Sequence, residues 1–105
     1  MTSATYANEL LADQRLMLLQ ALGAASGYSL PERALSRFLQ SMSAPLSADG
    51  LRTQLAWLEE QALLGISKVH PVPDAAPEWT ARINARGLDV VDGIVRVPGI
   101  ARPRP

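Results

Sequence analysis

The sequence predicts a mainly helical domain with one small β-hairpin, on three observations. Apolar residues recur at helical spacing in three segments of the first 61 residues. Each segment has its own boundary signal: Ser26-Gly27 after the first, Pro45 after the second and a capping Ser47 before the third. Beyond them, two strand-like runs flank His70-Pro-Val-Pro-Asp-Ala-Ala-Pro77, whose three prolines require a loop.

The first helix is expected from Tyr6 to Ala25. Leu10, Leu11, Met17, Leu18, Ala21, Leu22 and Ala25 spread over a wide arc, and Leu16 and Leu19 widen it further. A helix this apolar is covered on more than one side, by its own domain or by another subunit. A homodimer through the first helix is therefore expected, with Leu16 and Leu19 as candidate partner contacts. In the second helix Pro31 suits the first turn and Ser29 is the expected cap. Leu30, Ala34, Leu35, Phe38, Leu39 and Met42 supply its buried side, and it ends near Met42.

Ser47 caps the third helix, which runs to Gln61, and Asp49 in its first turn suits the positive end of the peptide dipoles. Leu51, Leu55, Leu58 and Ala62 form one stripe, while Asp49, Arg52, Thr53, Ala56 and Glu60 lie opposite. Trp57 lies beside the stripe, where it either roofs the core edge or faces a partner. Strands follow at 64–69 and 79–83. Asn84 then caps a short helix through Val91, which Asp92-Gly93 ends. The predicted organisation is a flexible start (1–5), one domain (6–96) and a Pro/Arg-rich tail (97–105) that lies along the body or hangs free. Helix, helix, helix, hairpin and short helix is the order of a winged helix-turn-helix: a three-helix core, a two-stranded wing and a C-terminal helix.

Composition narrows the chemistry. A chain of 105 residues, 48% of them hydrophobic, has room for one folded domain with a modest core. Without cysteine there is no disulfide, thiolate nucleophile or cysteine-based zinc site, and His70 cannot hold a metal alone. No cofactor is expected. The first residues lack the basic start and unbroken apolar run of a secretory signal, and nothing approaches the roughly 20 apolar residues of a membrane span. A cytoplasmic protein without membrane partners is the expectation.

Ten basic and ten acidic residues give a formal charge of zero, with the acidic excess in residues 1–61 and the basic excess in 62–105. A neutral chain does not announce nucleic acid, and a polyanion would meet the second half more readily. The carboxylates Asp13, Asp49, Asp89 and Asp92 have no base or nucleophile grouped with them in sequence. Glycine-rich phosphate loops and His-Glu-x-x-His are absent, so an enzyme is not expected.

Three phrases carry a further likeness: Leu51-Arg-Thr-Gln-Leu-Ala-Trp-Leu-Glu-Glu-Gln61, Arg86-Gly-Leu-Asp-Val90 and Val97-Pro-Gly-Ile-Ala-Arg-Pro-Arg-Pro105. From about residue 6 onward the chain resembles a family of short proteins encoded in Mu-like phages and prophages, commonly labelled ArsR-like regulators. The resemblance implies a winged-helix fold and a phage context. The metal ligands of metal-sensing ArsR repressors have no counterpart here.

Two functions follow as expectations. The first is a phage-encoded winged-helix DNA-binding protein, a transcription regulator acting as a dimer, with the third helix in the major groove of double-stranded DNA. Its candidate contacts are Asp49, Arg52, Thr53 and Gln54 on the helix and Lys68, His70 and Arg82 on the wing. The alternative is a non-enzymatic interaction or assembly module on the same scaffold, binding a phage or host protein. Trp57, the broad apolar first helix and the tail would serve it.

Overall fold

A computed structural model of the chain describes residues 3–104, the side chains of residues 3 and 4 excepted. Four helices and a three-stranded antiparallel sheet follow one another as α1 (Ser3–Ala24), β1 (Ser29–Pro31), α2 (Glu32–Ser41), α3 (Ala48–Glu60), β2 (Leu64–Val69), β3 (Glu78–Ile83) and α4 (Ala85–Val91). The flexible start expected over residues 1–5 lies partly outside the described residues, and from Ser3 the chain is helical.

The sheet corrects the two-stranded expectation. Its order is β1-β3-β2, and Ser29, Leu30 and Pro31 lie opposite Arg82, Ala81 and Thr80. Ser29 thus enters a strand instead of capping α2, whose cap position is taken by Pro31 without a side-chain hydrogen bond. Pro31 is tolerated because β1 is an edge strand and a proline there withholds no central ladder bond. The turn into β1 uses left-handed backbone at Gly27 and Tyr28.

The other boundaries follow their capping chemistry. Ser47 Oγ accepts the Gly50 N–H at 3.0 Å, and Asn84 Oδ1 accepts the Gly87 N–H at 2.9 Å. The hairpin pairs Leu64 with Ile83 through Val69 with Glu78. Alternation then sends Leu64, Ile66, Trp79, Ala81 and Ile83 toward the helices, and Gly65, Ser67, Thr80 and Arg82 away from them.

The core lies between the helices and the inner face of this sheet. Leu18, Leu19, Leu22, Leu35, Leu39, Leu55, Leu58 and Leu63 are its largest fully buried side chains. Residues 94–97 form no strand, yet the segment after α4 completes the core. Val97 and Ile100 are buried, and the Ala101 N–H donates to the Ala12 carbonyl of α1 at 3.1 Å. Through Ala101 the tail lies along the body.

Candidate functional site

The third helix is the natural place to look, because its cap and stripe fix which residues face outward. Leu51, Gln54, Leu55 and Leu58 are buried. Asp49, Thr53 and Glu60 are exposed, and Ala56 is half-buried along the same outward line.

Arg52, the one basic residue of α3, is engaged within the chain. Its Nε and Nη2 donate to the two carboxylate oxygens of Glu32 at 3.0 and 2.8 Å, and Nη2 also donates to the Pro77 carbonyl at 3.0 Å. The guanidinium carbon sits 4.9 Å from the centre of the Trp79 ring, which Lys68 Nζ also approaches at 4.8 Å. Glu32 Oε2 accepts the Trp79 N–H at 3.3 Å as well. The hydrogen bond with Glu32, more than any other influence, raises the Arg52 pKa above its ordinary value. A planar fork satisfied bidentately by a carboxylate is not free to do the same with guanine.

Gln54 is also committed. It is 7% exposed, and its Oε1 accepts the Arg15 Nε proton at 2.8 Å. Arg15 lies 3.9 Å from the centre of the Trp57 ring and donates through Nη1 to the Gly99 carbonyl at 3.0 Å. Burial lowers the Arg15 pKa. Gly99, at φ +95°, passes so close that an added Cβ would lie 3.0 Å from the Trp57 ring. Trp57 is half-buried and packs at the core edge, with Arg15 over its ring and Gly99 of the segment after α4 against it.

The remaining candidates are scattered. Thr53 Oγ1 donates to the Asp49 carbonyl at 2.9 Å, a bond within the helix. Glu59, which points aside, accepts the Ile66 N–H of β2 at 2.9 Å and so covers that strand's edge. His70 Nδ1 is 3.0 Å from the Ala75 carbonyl of its own loop. Lys68 and Arg82 lie on opposite faces of the hairpin, since Lys68 pairs with inward-facing Trp79 and Arg82 with outward Gly65. The wing therefore does not gather its cations. Among the expected partner contacts, Leu19 has no exposed surface and Leu16 is 8% exposed, so both belong to the core of this chain.

What α3 leaves outward is Asp49, Thr53, Ala56 and Glu60, an acidic line without a free cation. Sequence reasoning missed Glu32, Trp79 and Arg15, the residues that occupy Arg52 and Gln54. Their separations of 20 to 39 residues leave no periodic signal. It also missed Gln14, 2% exposed, whose Nε2 donates to the Ala44 carbonyl at 3.1 Å and holds the turn between α2 and α3 against α1. Among the described residues no cluster of three or more His, Asp or Glu side chains could hold a metal ion. No described helix is long and apolar enough to cross a membrane.

Fold and site define a small, mainly helical domain whose third helix is bound into its own structure and turns an acidic edge outward. The chain belongs to the family of the uncharacterized protein gp26 of Escherichia phage Mu, with which it is 31% identical over 93 residues, 89% of this chain and 90% of that one. An uncharacterized protein of Haemophilus influenzae is 42% identical over 57 residues, 54% of this chain and 55% of that one. No family model matches the chain, and no solved structure does. Neither relative's name mentions an ArsR-like or helix-turn-helix regulator, so that label finds no support among them.

Proposed function

We propose that this phage-related protein is a winged-helix interaction module that binds another phage or host protein through α3, and that it is neither a reader of DNA sequence nor an enzyme. The order α1, β1, α2, α3, β2, β3, α4 with a β1-β3-β2 sheet supports the winged-helix assignment. The observation that carries the functional reading is the state of α3. Arg52 and Gln54, the side chains suited to guanine and adenine, are held by Glu32 and Arg15. The outward Asp49 and Glu60 repel phosphate and suit a basic protein surface.

The rival reading, a DNA-binding regulator, draws on one feature. Arg37, Lys68 and Arg82 are exposed, and among the described residues none is in an ion pair. Because Lys68 and Arg82 occupy opposite faces of the hairpin, one duplex would not meet both.

Two measurements separate the readings. Anisotropy with labelled phage promoter fragments and random duplexes should show no sequence preference. A preference that Arg52→Ala abolishes while the fold is retained would sink the proposal. Co-expression with the proteins of the same phage should give a complex that Asp49→Lys and Glu60→Lys dissociate while the domain stays folded, the loss of Asp49 from the first turn of α3 costing about 1 kcal/mol at most. A complex indifferent to both substitutions would place binding elsewhere than α3.

A further inference from the structure

The start of α1, before the docked segment at Ala12, faces solvent. Every residue from 5 to 10 is exposed, including Tyr6 at 64% and Leu10 at 40%. So short a helical segment is marginal in water without tertiary contacts. Its exposed apolar residues share a face with two polar ones. Tyr6, Leu10, Asp13, Met17 and Gln20 follow at steps of four, three, four and three, which confines them to an arc of about 80° on one face. The spacing is that of paired helices, with Tyr6, Leu10 and Met17 as its apolar members and Asp13 and Gln20 as polar ones.

The stripe runs into a receptor of matching character. Asp13, Leu16, Met17 and Gln20 line a groove of about 400 Å³ with Met42, itself 50% exposed, and with Arg102 and Arg104. The same surface thus holds an apolar projection, a groove of mixed lining with two adaptable methionines, two acids on the helix (Glu9 and Asp13) and two arginines beside it. A surface that complements itself in both shape and charge suits a two-fold axis.

We propose that two copies of this chain pair through α1 in antiparallel orientation, about an axis near residues 11 and 12. Tyr6 of each copy then seats on the partner's Met17 and Met42, and Leu10 packs beside the partner's Asp13. Charge selects the orientation. Parallel helices would set Glu9 against Glu9 and Asp13 against Asp13, whereas the antiparallel pair brings the acids of each helix toward the other copy's Arg102 and Arg104. Of the two leucines expected to meet a partner, Leu19 is spent inside the core, and Leu16 reaches this groove only with its small exposed surface. This pairing extends the interaction reading to a second copy of this chain without resting on it, since α3 takes no part.

Light scattering on a sizing column should give twice the 11.3 kDa of one chain at micromolar concentration. Leu10→Asp and Tyr6→Ala should each weaken the dimer by about tenfold or more. Both positions are exposed, so the Tm extrapolated to infinite dilution should hold. A parent protein that stays at 11.3 kDa in the high micromolar range overturns the proposal, as does a dimer that neither substitution weakens. Because the chain has no cysteine, orientation can be read directly. A mixture of Tyr6→Cys and Met17→Cys chains should cross-link between the two variants. A Tyr6→Cys chain that cross-links to itself instead would make the helices parallel and refute the arrangement. Asp49→Lys, which tests α3, should leave the dimer mass unchanged, so the two readings fail separately.

Discussion

Gly87 offers a substitution whose sign is set by packing against propensity. It lies in the first turn of α4, which rests on the turn between α3 and β2. Asn84 donates to the Leu63 carbonyl from its backbone N–H at 3.2 Å and to the Ala62 carbonyl from Nδ2 at 2.9 Å. Arg86 Nε adds a bond to the Gln61 carbonyl at 3.2 Å. A Cβ on Gly87 would run into the Leu63 carbonyl and lie 2.5 Å from Ile83 Cγ1. Replacing glycine with alanine in a helix ordinarily gains up to about 1 kcal/mol. Overpacking against a buried neighbour costs about 1–3 kcal/mol, and displacing a carbonyl held by Asn84 loses about 1 kcal/mol more.

Gly87→Ala should therefore destabilise the fold by about 1–3 kcal/mol, a Tm loss of roughly 4–8 °C per kcal/mol for a domain near this size. Gly23→Ala provides the contrast. Its Cβ would meet only Leu88 Cδ2 at 3.5 Å, an ordinary contact, so the helical gain of up to about 1 kcal/mol should stand. Urea titrations of the parent and both variants give the comparison. A Gly87→Ala protein as stable as Gly23→Ala would refute the close approach of α4 to Leu63.

Three further outcomes follow from contacts already described. Arg15→Met removes the donors to Gln54 and Gly99 and leaves Gln54 Oε1 buried without its partner, so stability should fall by about 1–3 kcal/mol with a change in Trp57 fluorescence. Ser47→Ala should cost about 0.5–2 kcal/mol in chemical denaturation by removing the acceptor for the Gly50 N–H. Ending the chain after Arg96 uncovers the sites of Val97 and Ile100, each worth about 1.5–3 kcal/mol, and hydrogen exchange should then show α1 opening at a much lower free energy.

Local chemistry made much of this fold readable. Ser47 and Asn84 cap helices because a hydroxyl or amide oxygen can reach an amide two or three residues on, and that requirement is written within one turn of chain. β2 was legible from its run of residues bounded by turn and proline. β1 was not, because three residues including a proline carry no strand signal, and only the edge offered by β3, about 50 residues later, makes Ser29–Pro31 a strand. The outward face of α3 was half legible. Periodicity placed Arg52 away from the leucine stripe, yet Glu32 and Trp79 claim it from elements that periodicity does not relate.

The phrases on which the sequence resemblance rests are sites of tight internal fit. Arg52, Gln54, Trp57 and Glu59 clamp α3 to its neighbours, while Arg86 and Gly87 seat α4 on the turn after α3. The likeness therefore reports how the domain is closed more than what it touches.

The union of Arg15 with Gly99 spans 84 positions in the chain. During synthesis α1 leaves the ribosome before the rest of this domain, but its apolar faces have no complete cover until residues 97–101 have cleared the exit tunnel. Closing so long a loop is entropically costly and comes late. A nascent chain halted before Val97 thus presents leucine surface to chaperones and to its neighbours for as long as the pause lasts. The order of synthesis thus leaves the leucine faces of α1 among the last surfaces of this domain to be covered.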